Sequence, residues 1–178
     1  MAQDFDLTTC QEMVGEHGLL VPMELFWPQR PPGIRVVPVE INTVQHPLPS
    51  PSRCVALGRA VGEAIRSYPG DDRIVVVGTG GLSHQLEGAR AGFINADFDR
   101  LCLNAMSGDL TPITRHSIPE LVELSGSQGV EILNWLAMRA ALGDEVTEVH
   151  RNYHIPISNT ASALMVLEAG SGQPVSVG

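Results

Sequence analysis

The sequence of 178 residues contains no lysine, so all eleven basic residues are arginines. This absence excludes Schiff-base chemistry on a lysine and the lysine-containing phosphate loop of Walker-type nucleotidases. The formal net charge is −9, and no basic stripe with interleaved aromatic residues is present. We therefore expect neither nucleic acid nor an anionic membrane surface as a partner.

Cysteine is also scarce. Cys10, Cys54 and Cys102 lie far apart and form no C-x-x-C pair, which indicates neither a disulfide framework nor a structural zinc site. No apolar run reaches membrane-spanning length, and the acidic N-terminus lacks the pattern of a secretion signal. These absences predict a soluble protein in the reducing cytoplasm.

The composition is that of a globular protein, with 43% hydrophobic and 17% charged residues, and it predicts a single domain over residues 1–178. Residues 34–44 and 73–77 are apolar, β-branched runs that predict buried strands. Between them, Ser50 and Pro51 open a predicted helix that ends before Pro69. Strand, helix and strand form a β-α-β unit, so we expect an α/β fold with a mostly parallel or mixed central sheet flanked by helices.

Weaker patterns lie on either side of this unit. Residues 4–16 predict a short helix, with Phe5, Cys10 and Met13 facing inward. In the second half, Ser117 and Glu120 match a capping box at the start of a helix. The remaining predicted elements are a helical face made by Ile94, Phe98, Leu101 and Cys102, an amphipathic helix at residues 129–142, and strands at residues 146–155 and 163–167.

The stretch "GTGGLSHQL" follows the second predicted strand. Its glycines favour a phosphate cradle, but no G-x-G-x-x-G pattern and no lysine completes one, so nucleotide binding ranks last among the functions considered. Ligands of open α/β sheets bind beyond the carboxyl ends of strands, where His84 falls. From the residues alone, His84 is either a structural histidine or an acid–base group that exchanges protons near neutral pH.

Other chemistry-bearing residues have two interpretations each. Glu131 lies in the first turn of its helix, where its negative charge either interacts favourably with the helix dipole or binds a metal. Ser158 and Asn159, after an apolar strand, cap the next segment or hold a ligand carboxylate. His17 has the same ambiguity. Metal-ligand spacing with a neighbour is absent from the remaining histidines, which are His46, His116, His150 and His154.

Five stretches together resemble one family, the catalytic (beta) subunit of LigB-type extradiol dioxygenases that cleave protocatechuate or gallate. They are "EMVGEHGLLVPM", "INTVQHPLPSPSRCVALGRAVGEAIRSYPGDD", "VVVGTGGLSHQLEGARAGFIN", "GSQGVEILNWLAMRAAL" and "NYHIPISNTASALMVLE". The resemblance covers nearly the whole chain, and "GTGGLSHQL" and "HIPISNTA" are its most specific parts. It implies Fe(II)-dependent cleavage of a carboxylated catechol beside its diol, with incorporation of O2, in aromatic compound catabolism.

The resemblance also implies roles for individual residues. His84 corresponds to the acid–base histidine, and Glu131 to the carboxylate of an iron site made of two histidines and one carboxylate. Ser158 and Asn159 correspond to residues that hold the ring carboxylate of the substrate, and His17 to a histidine near the substrate. A small alpha subunit or a second copy of the chain is the implied partner.

One departure from the family shapes the expectation. The two histidine ligands of the family lie upstream of the segment that this chain's first residues resemble. The resemblance therefore implies a C-terminal portion of the catalytic domain that lacks the first strands of the sheet and is inactive alone. The alternative is a shortened, metal-free homologue that binds an aromatic acid or acts as a partner subunit.

Overall fold

A computed structural model of the chain describes residue 5 and residues 7–9, 11–12, 14–29 and 33–170. The backbone divides into two compact units, Met1–Ile41 and Asn42–Gly178, and each is described by itself. The organisation as a single domain stays a prediction.

The first unit contains helix α1, His17–Phe26. The helix predicted over residues 4–16 is wrong, because none of the residues described in that stretch is helical; Cys10 and Met13 lie outside the described residues. Pro22 stands inside α1, and proline in a helix interior normally argues against a helix. Because Pro22 weakens the helical signal of residues 17–26, the sequence pattern did not indicate α1, and the predicted helix precedes it.

Among its described residues, 42–170, the second unit has six helical segments. They are α2, Pro51–Arg66; α3, Ala96–Met106; α4, Thr111–Thr114; α5, Ile118–Ser125; a 3-10 turn, Gly129–Glu131; and α6, Ile132–Ala141. Ser50 caps α2, with Pro51 at its first position, and Ser117 and Glu120 form the capping box that opens α5. These predictions are confirmed. The helix predicted over residues 129–142 divides into the 3-10 turn and α6.

Two glycines allow α2 to lie directly on α6. A Cβ added at Gly58 would stand 2.1 Å from the carbonyl oxygen of Ala137, and one at Gly62 would stand 2.4 Å from that of Ala141. Both distances are far below van der Waals contact, so a larger residue at either position would separate the helices. This contact holds α6, and with it the preceding turn that carries Glu131, against the second unit's first helix.

The second unit also contains a two-stranded sheet. Strands β1, Val146–His154, and β2, Ser162–Ala169, pair antiparallel, with His154 opposite Ser162. The two strands confirm the predictions for residues 146–155 and 163–167. Their hairpin connection carries the "IPISNT" stretch.

The strands predicted at residues 34–44 and 73–77 are not formed. Among the described residues the sheet consists of β1 and β2 alone, so the parallel β-α-β unit is not formed there. A hydrophobic run reports a tendency towards burial, whereas a strand also needs a neighbour that exchanges backbone hydrogen bonds with it. Val37 is 85% exposed and Val75 70% exposed, which shows that these runs are not buried here.

The core of the second unit lies among α3, α5, α6 and the segment before α3. Its largest fully buried apolar side chains are Leu82, Leu103, Met106, Ile113, Leu121, Ile132, Leu133 and Leu136. Because Leu82 is buried in this core, it anchors the backbone of the polar residues that follow it, Ser83 and His84.

Candidate functional site: a glycine turn between Glu131 and His84

Gly80 and Gly81 bring the chain against the 3-10 turn that precedes α6. Gly80 has a φ of +115°, and a Cβ added there would stand 2.7 Å from the Cβ of Glu131. Both the left-handed backbone and the lack of space require glycine. The indole Nε1 of Trp135 donates a hydrogen bond of 3.3 Å to the carbonyl oxygen of Gly80, which ties the turn to α6.

Glu131 is held by this turn. The backbone N–H of Gly81 donates to Oε2 of Glu131 over 2.7 Å, and the Glu131 side chain is half-buried. A phosphate would need the same N–H group and would meet a carboxylate beside it. The contact therefore argues against the phosphate-cradle interpretation of the glycines.

His84 also packs against Gly81. A Cβ added at Gly81 would lie 2.7 Å from Cε1 and 2.9 Å from Nδ1 of the imidazole. His84 is 6% exposed, and its backbone N–H donates to the carbonyl oxygen of Ser125 over 2.8 Å. The structure thus brings His84 and Glu131 into contact with the same glycine, although the two residues are distant in the sequence.

The ring of His84 has a defined orientation. Nδ1 lies 2.9 Å from the carbonyl oxygen of Leu82. A carbonyl oxygen can only accept, so the neutral ring carries its hydrogen on Nδ1 and leaves Nε2 with a lone pair. Nε2 is therefore the atom that can take a proton from a ligand.

The hairpin connection runs beside His84. Thr160 forms an isolated antiparallel bridge with His84, and the backbones of Ala161 and Ser83 are joined by a hydrogen bond of 3.1 Å. Ser158 and Asn159 are exposed. Oδ1 of Asn159 lies 3.4 Å from the place where a Cβ of Gly92 would stand, in the same loop that follows His84. The two polar residues are thus within the neighbourhood of His84, and their ligand-binding role stays a prediction.

His17 belongs to the first unit, where it is the first residue of α1. Its side chain is 88% exposed, and Nδ1 lies 3.7 Å from a carboxylate oxygen of Glu16. The role near a substrate that the sequence implied for His17 stays a prediction.

Sequence reasoning missed a buried carboxylate beneath the glycine turn. Asp99 is 1% exposed; its Oδ1 accepts from the N–H of Ser83 over 2.8 Å, and its Oδ2 accepts from the Ser83 hydroxyl over 2.7 Å. The phenol of Tyr153 also donates to Oδ2, over 2.8 Å. One signal could have indicated Asp99: it lies between Phe98 and Cys102, both on the predicted inward face of α3.

Asp99 contributes to raised pKa values of two neighbours, Tyr153 and Cys102. Burial, the hydrogen bond to Asp99 and the negative charge of Asp99 raise the pKa of Tyr153, so its phenol remains a donor. Burial, and then the charge of Asp99, raise the pKa of the Cys102 thiol. Burial alone raises the pKa of Cys54 to about 11. Neither thiol is suited to act as a nucleophile, because the thiolate is the reactive form.

The described residues do not form a complete metal site. Within the part of the chain that the structure describes, no three side chains of His, Cys, Asp or Glu are grouped to hold a metal ion. Iron(II) in a site of two imidazoles and one carboxylate needs all three ligands in one geometry. Glu131 fits one ligand position, and the other two are not supplied by its described neighbours. In the same described ranges, no helix has the length and apolarity needed to cross a membrane.

Comparison with known proteins assigns the chain to a protein family. The model of a family described as the catalytic LigB subunit of aromatic ring-opening dioxygenase matches residues 1–163. The chain is 36% identical to gallate dioxygenase of Pseudomonas putida over 94% of its own length and 49% of that protein. It is 37% identical to a 2,3-dihydroxyphenylpropionate/2,3-dihydroxicinnamic acid 1,2-dioxygenase of Mycobacterium ulcerans over 47% of its length and 26% of that protein.

The chain therefore spans about half the length of the gallate dioxygenase, and the matched part of the chain covers about a quarter of the Mycobacterium enzyme. A third relative, a dioxygenase of the same description from Rhodococcus globerulus, is 23% identical over 95% of the chain and 67% of that protein. The family match covers the glycine turn, Glu131, His84 and the hairpin connection alike. The chain belongs to the LigB family of aromatic ring-opening dioxygenases.

Proposed function

We propose that the chain provides the acid–base residue and one metal ligand for the Fe(II)-dependent extradiol cleavage of a carboxylated catechol, with incorporation of both atoms of O2. The observation that carries the proposal is that His84 and Glu131 both contact Gly81. Family membership supports aromatic ring cleavage, and this geometry supports the division of labour between the two residues.

His84 is suited to proton transfer. Its Nδ1–H donates a hydrogen bond to the Leu82 carbonyl oxygen. This bond orients the ring and leaves the lone pair on Nε2. A catechol must lose a hydroxyl proton before both of its oxygens become strong ligands, and a later step returns a proton to the oxygenated product. A buried imidazole with one free nitrogen can perform both transfers.

Glu131 is the proposed carboxylate ligand. Its Oε2 is anchored by the N–H of Gly81, the kind of outer contact that orients a metal-binding carboxylate. Iron(II), when bound with two further imidazole ligands, supplies open positions for a catecholate and for O2. Because the described residues supply neither imidazole, we do not expect the described part of the chain to turn over substrate by itself.

The substrate class follows from the hairpin connection. Ser158 and Asn159 present hydroxyl and amide groups, which hydrogen-bond a carboxylate well, and both are exposed beside the loop that carries His84. We propose that they hold the ring carboxylate of gallate or protocatechuate, with His17 near the same substrate. The relative that is named for gallate supports the carboxylated class.

The wider organisation is part of the same proposal. Residues 34–44 and 73–77, with several exposed apolar side chains, are the candidates for strands of a mostly parallel central sheet once neighbouring strands are provided. We propose a cytoplasmic protein with one catalytic domain, whose partner is a small alpha subunit or a second copy of the chain.

Oxygen uptake tests the function. The protein is loaded anaerobically with Fe(II) and offered gallate, protocatechuate or 2,3-dihydroxyphenylpropionate, while amide resonances are followed in a parallel sample without oxygen. We expect gallate or protocatechuate to shift the resonances of His84 and Asn159, and ring-opened product to appear wherever oxygen is consumed. Binding that needs no iron, with no oxygen uptake, would favour the metal-free binding role. Neither uptake nor a shift at these residues would contradict the proposal.

A further inference from the structure

The buried Asp99 lies one peptide group away from the His84 ring. The N–H of Ser83 donates to Oδ1 of Asp99 over 2.8 Å, and the carbonyl oxygen of Leu82 lies 2.9 Å from Nδ1 of His84. That N–H and that carbonyl belong to the same peptide group, which joins Leu82 to Ser83. The two hydrogen bonds therefore leave opposite sides of one planar unit.

We propose that Asp99 is a positioning residue for His84 and acts through this peptide group. An N–H that donates to a carboxylate makes a charge-assisted hydrogen bond, and the carbonyl of the same amide becomes a stronger acceptor because successive hydrogen bonds polarise one another. The stronger acceptor holds the hydrogen of the ring on Nδ1. Asp99 thus fixes both the plane of the ring and the nitrogen that remains free.

The remaining contacts of Asp99 stabilise its carboxylate in the protein interior. The hydroxyl of Ser83 accepts from the N–H of Asn95 over 2.8 Å, so its own hydrogen is free to donate to Asp99. Tyr153 donates to the same carboxylate from β1. Three neutral donors therefore surround a carboxylate that is 1% exposed. Burying a carboxylate is costly without such donors.

A purely structural role makes a different prediction. Asp99 also joins α3 to β1 through Tyr153, and a residue that only joins elements would affect stability without changing the ring of His84. Ser83→Ala and Tyr153→Phe each remove a hydrogen bond to Oδ2 and leave the one between Oδ1 and the peptide N–H in place. Asp99→Asn removes the charge itself. The relay thus predicts that the ring responds to Asp99→Asn and not to the other two substitutions.

Nuclear magnetic resonance of the whole chain, labelled with 15N at its histidines, tests the inference. In the wild-type protein we expect the hydrogen of the neutral His84 ring on Nδ1. In Asp99→Asn we expect this hydrogen to exchange with water at least about twofold faster, whereas Ser83→Ala and Tyr153→Phe keep the wild-type rate. Asp97→Asn is the charge control, since Asp97 lies on the same helix and its side chain is 98% exposed.

Two results would overturn the inference: a wild-type ring with its hydrogen on Nε2, or a folded Asp99→Asn variant with the wild-type exchange rate. If Asp99→Asn does not fold, couplings across the two hydrogen bonds in the wild-type protein decide. We expect one between His84 Nδ1 and the Leu82 carbonyl carbon and one between the Ser83 nitrogen and the Asp99 carboxyl carbon; the absence of either contradicts the relay. The inference rests on the proposed proton-transfer role of His84, but these measurements need no turnover, so failed ring cleavage and a failed relay remain distinguishable.

Discussion

The N–H of Gly81 donates to Oε2 of Glu131 over 2.7 Å, and the same glycine leaves no room for a methyl group against His84. Gly81 thus contacts both a carboxylate and an imidazole, which belong to residues 47 positions apart in the sequence. Here a backbone N–H, and not a side chain, holds the Glu131 carboxylate. This relationship makes the glycine turn a part of the site and not merely a connection.

Gly81→Ala should therefore damage the site. The added Cβ would stand 2.7 Å from Cε1 of His84 and 3.2 Å from the Cγ2 of Thr160, so the ring must move. Overpacking of this kind destabilises by about 1–3 kcal/mol. We expect a lower free energy of unfolding in urea and a shifted His84 ring resonance. Gly108→Ala, whose Cβ would have only one neighbour at 3.8 Å, is the control; equal effects from both variants would contradict this account of the turn.

Tyr153→Phe should change how stability depends on alkaline pH. Because the pKa of Tyr153 is raised in the folded protein above the ordinary value of about 10 for a tyrosine, the unfolded chain loses the phenol proton first. This contribution to stability is complete below about pH 10 and is lost as the pH rises through the folded value. The variant lacks this loss, and at neutral pH it lacks a hydrogen bond worth about 1 kcal/mol.

The free energy of unfolding of both proteins, measured from pH 8 to pH 11, checks this prediction. We expect the difference between wild type and Tyr153→Phe to shrink above pH 10. The buried thiols of Cys54 and Cys102, whose pKa values are also raised, remain in both proteins and cancel in the comparison. A difference that stays constant over the whole range would show that Tyr153 does not carry the effect.

Asn159→Ala should weaken the binding of gallate and leave the binding of pyrogallol, which lacks the carboxylate, unchanged. A hydrogen bond to a charged group contributes about 1.5–3 kcal/mol, so we expect the Kd for gallate to rise at least about tenfold. Asn152→Ala, an exposed amide on β1, is the matched control. Equal weakening of both ligands by Asn159→Ala would mean that Asn159 does not contact the carboxylate.

Part of this site could be predicted from the sequence, because its signals are local. A glycine cluster followed by His84, Glu131 in a helix's first turn, and a polar connection after an apolar strand are each visible within a few residues. Asp99 could not be recognised in this way, since its partners Ser83 and Tyr153 lie 16 and 54 positions away. The orientation of the His84 ring likewise depends on a peptide plane that no motif reports.

The fold was predictable to a similar extent. The caps at Ser50 and Ser117 fixed the starts of α2 and α5, because capping depends on neighbours within one turn. Strands β1 and β2 were predicted from their own residues, but their antiparallel pairing was not, because pairing depends on a second strand. Residues 73–77 have the composition of a buried strand but are not part of a sheet in this structure.

Bound iron and oxygen uptake test the central claim most directly when they are measured together in His84→Ala and Glu131→Ala of an enzyme completed with the two imidazole ligands that the described residues do not supply. The account predicts that His84→Ala keeps nearly all of the iron and loses about 100-fold or more in turnover, the scale of general acid–base catalysis. It predicts that Glu131→Ala loses the iron itself. Equal loss of iron in both variants, or full turnover in His84→Ala, would contradict the assignment of proton transfer to His84 and metal binding to Glu131.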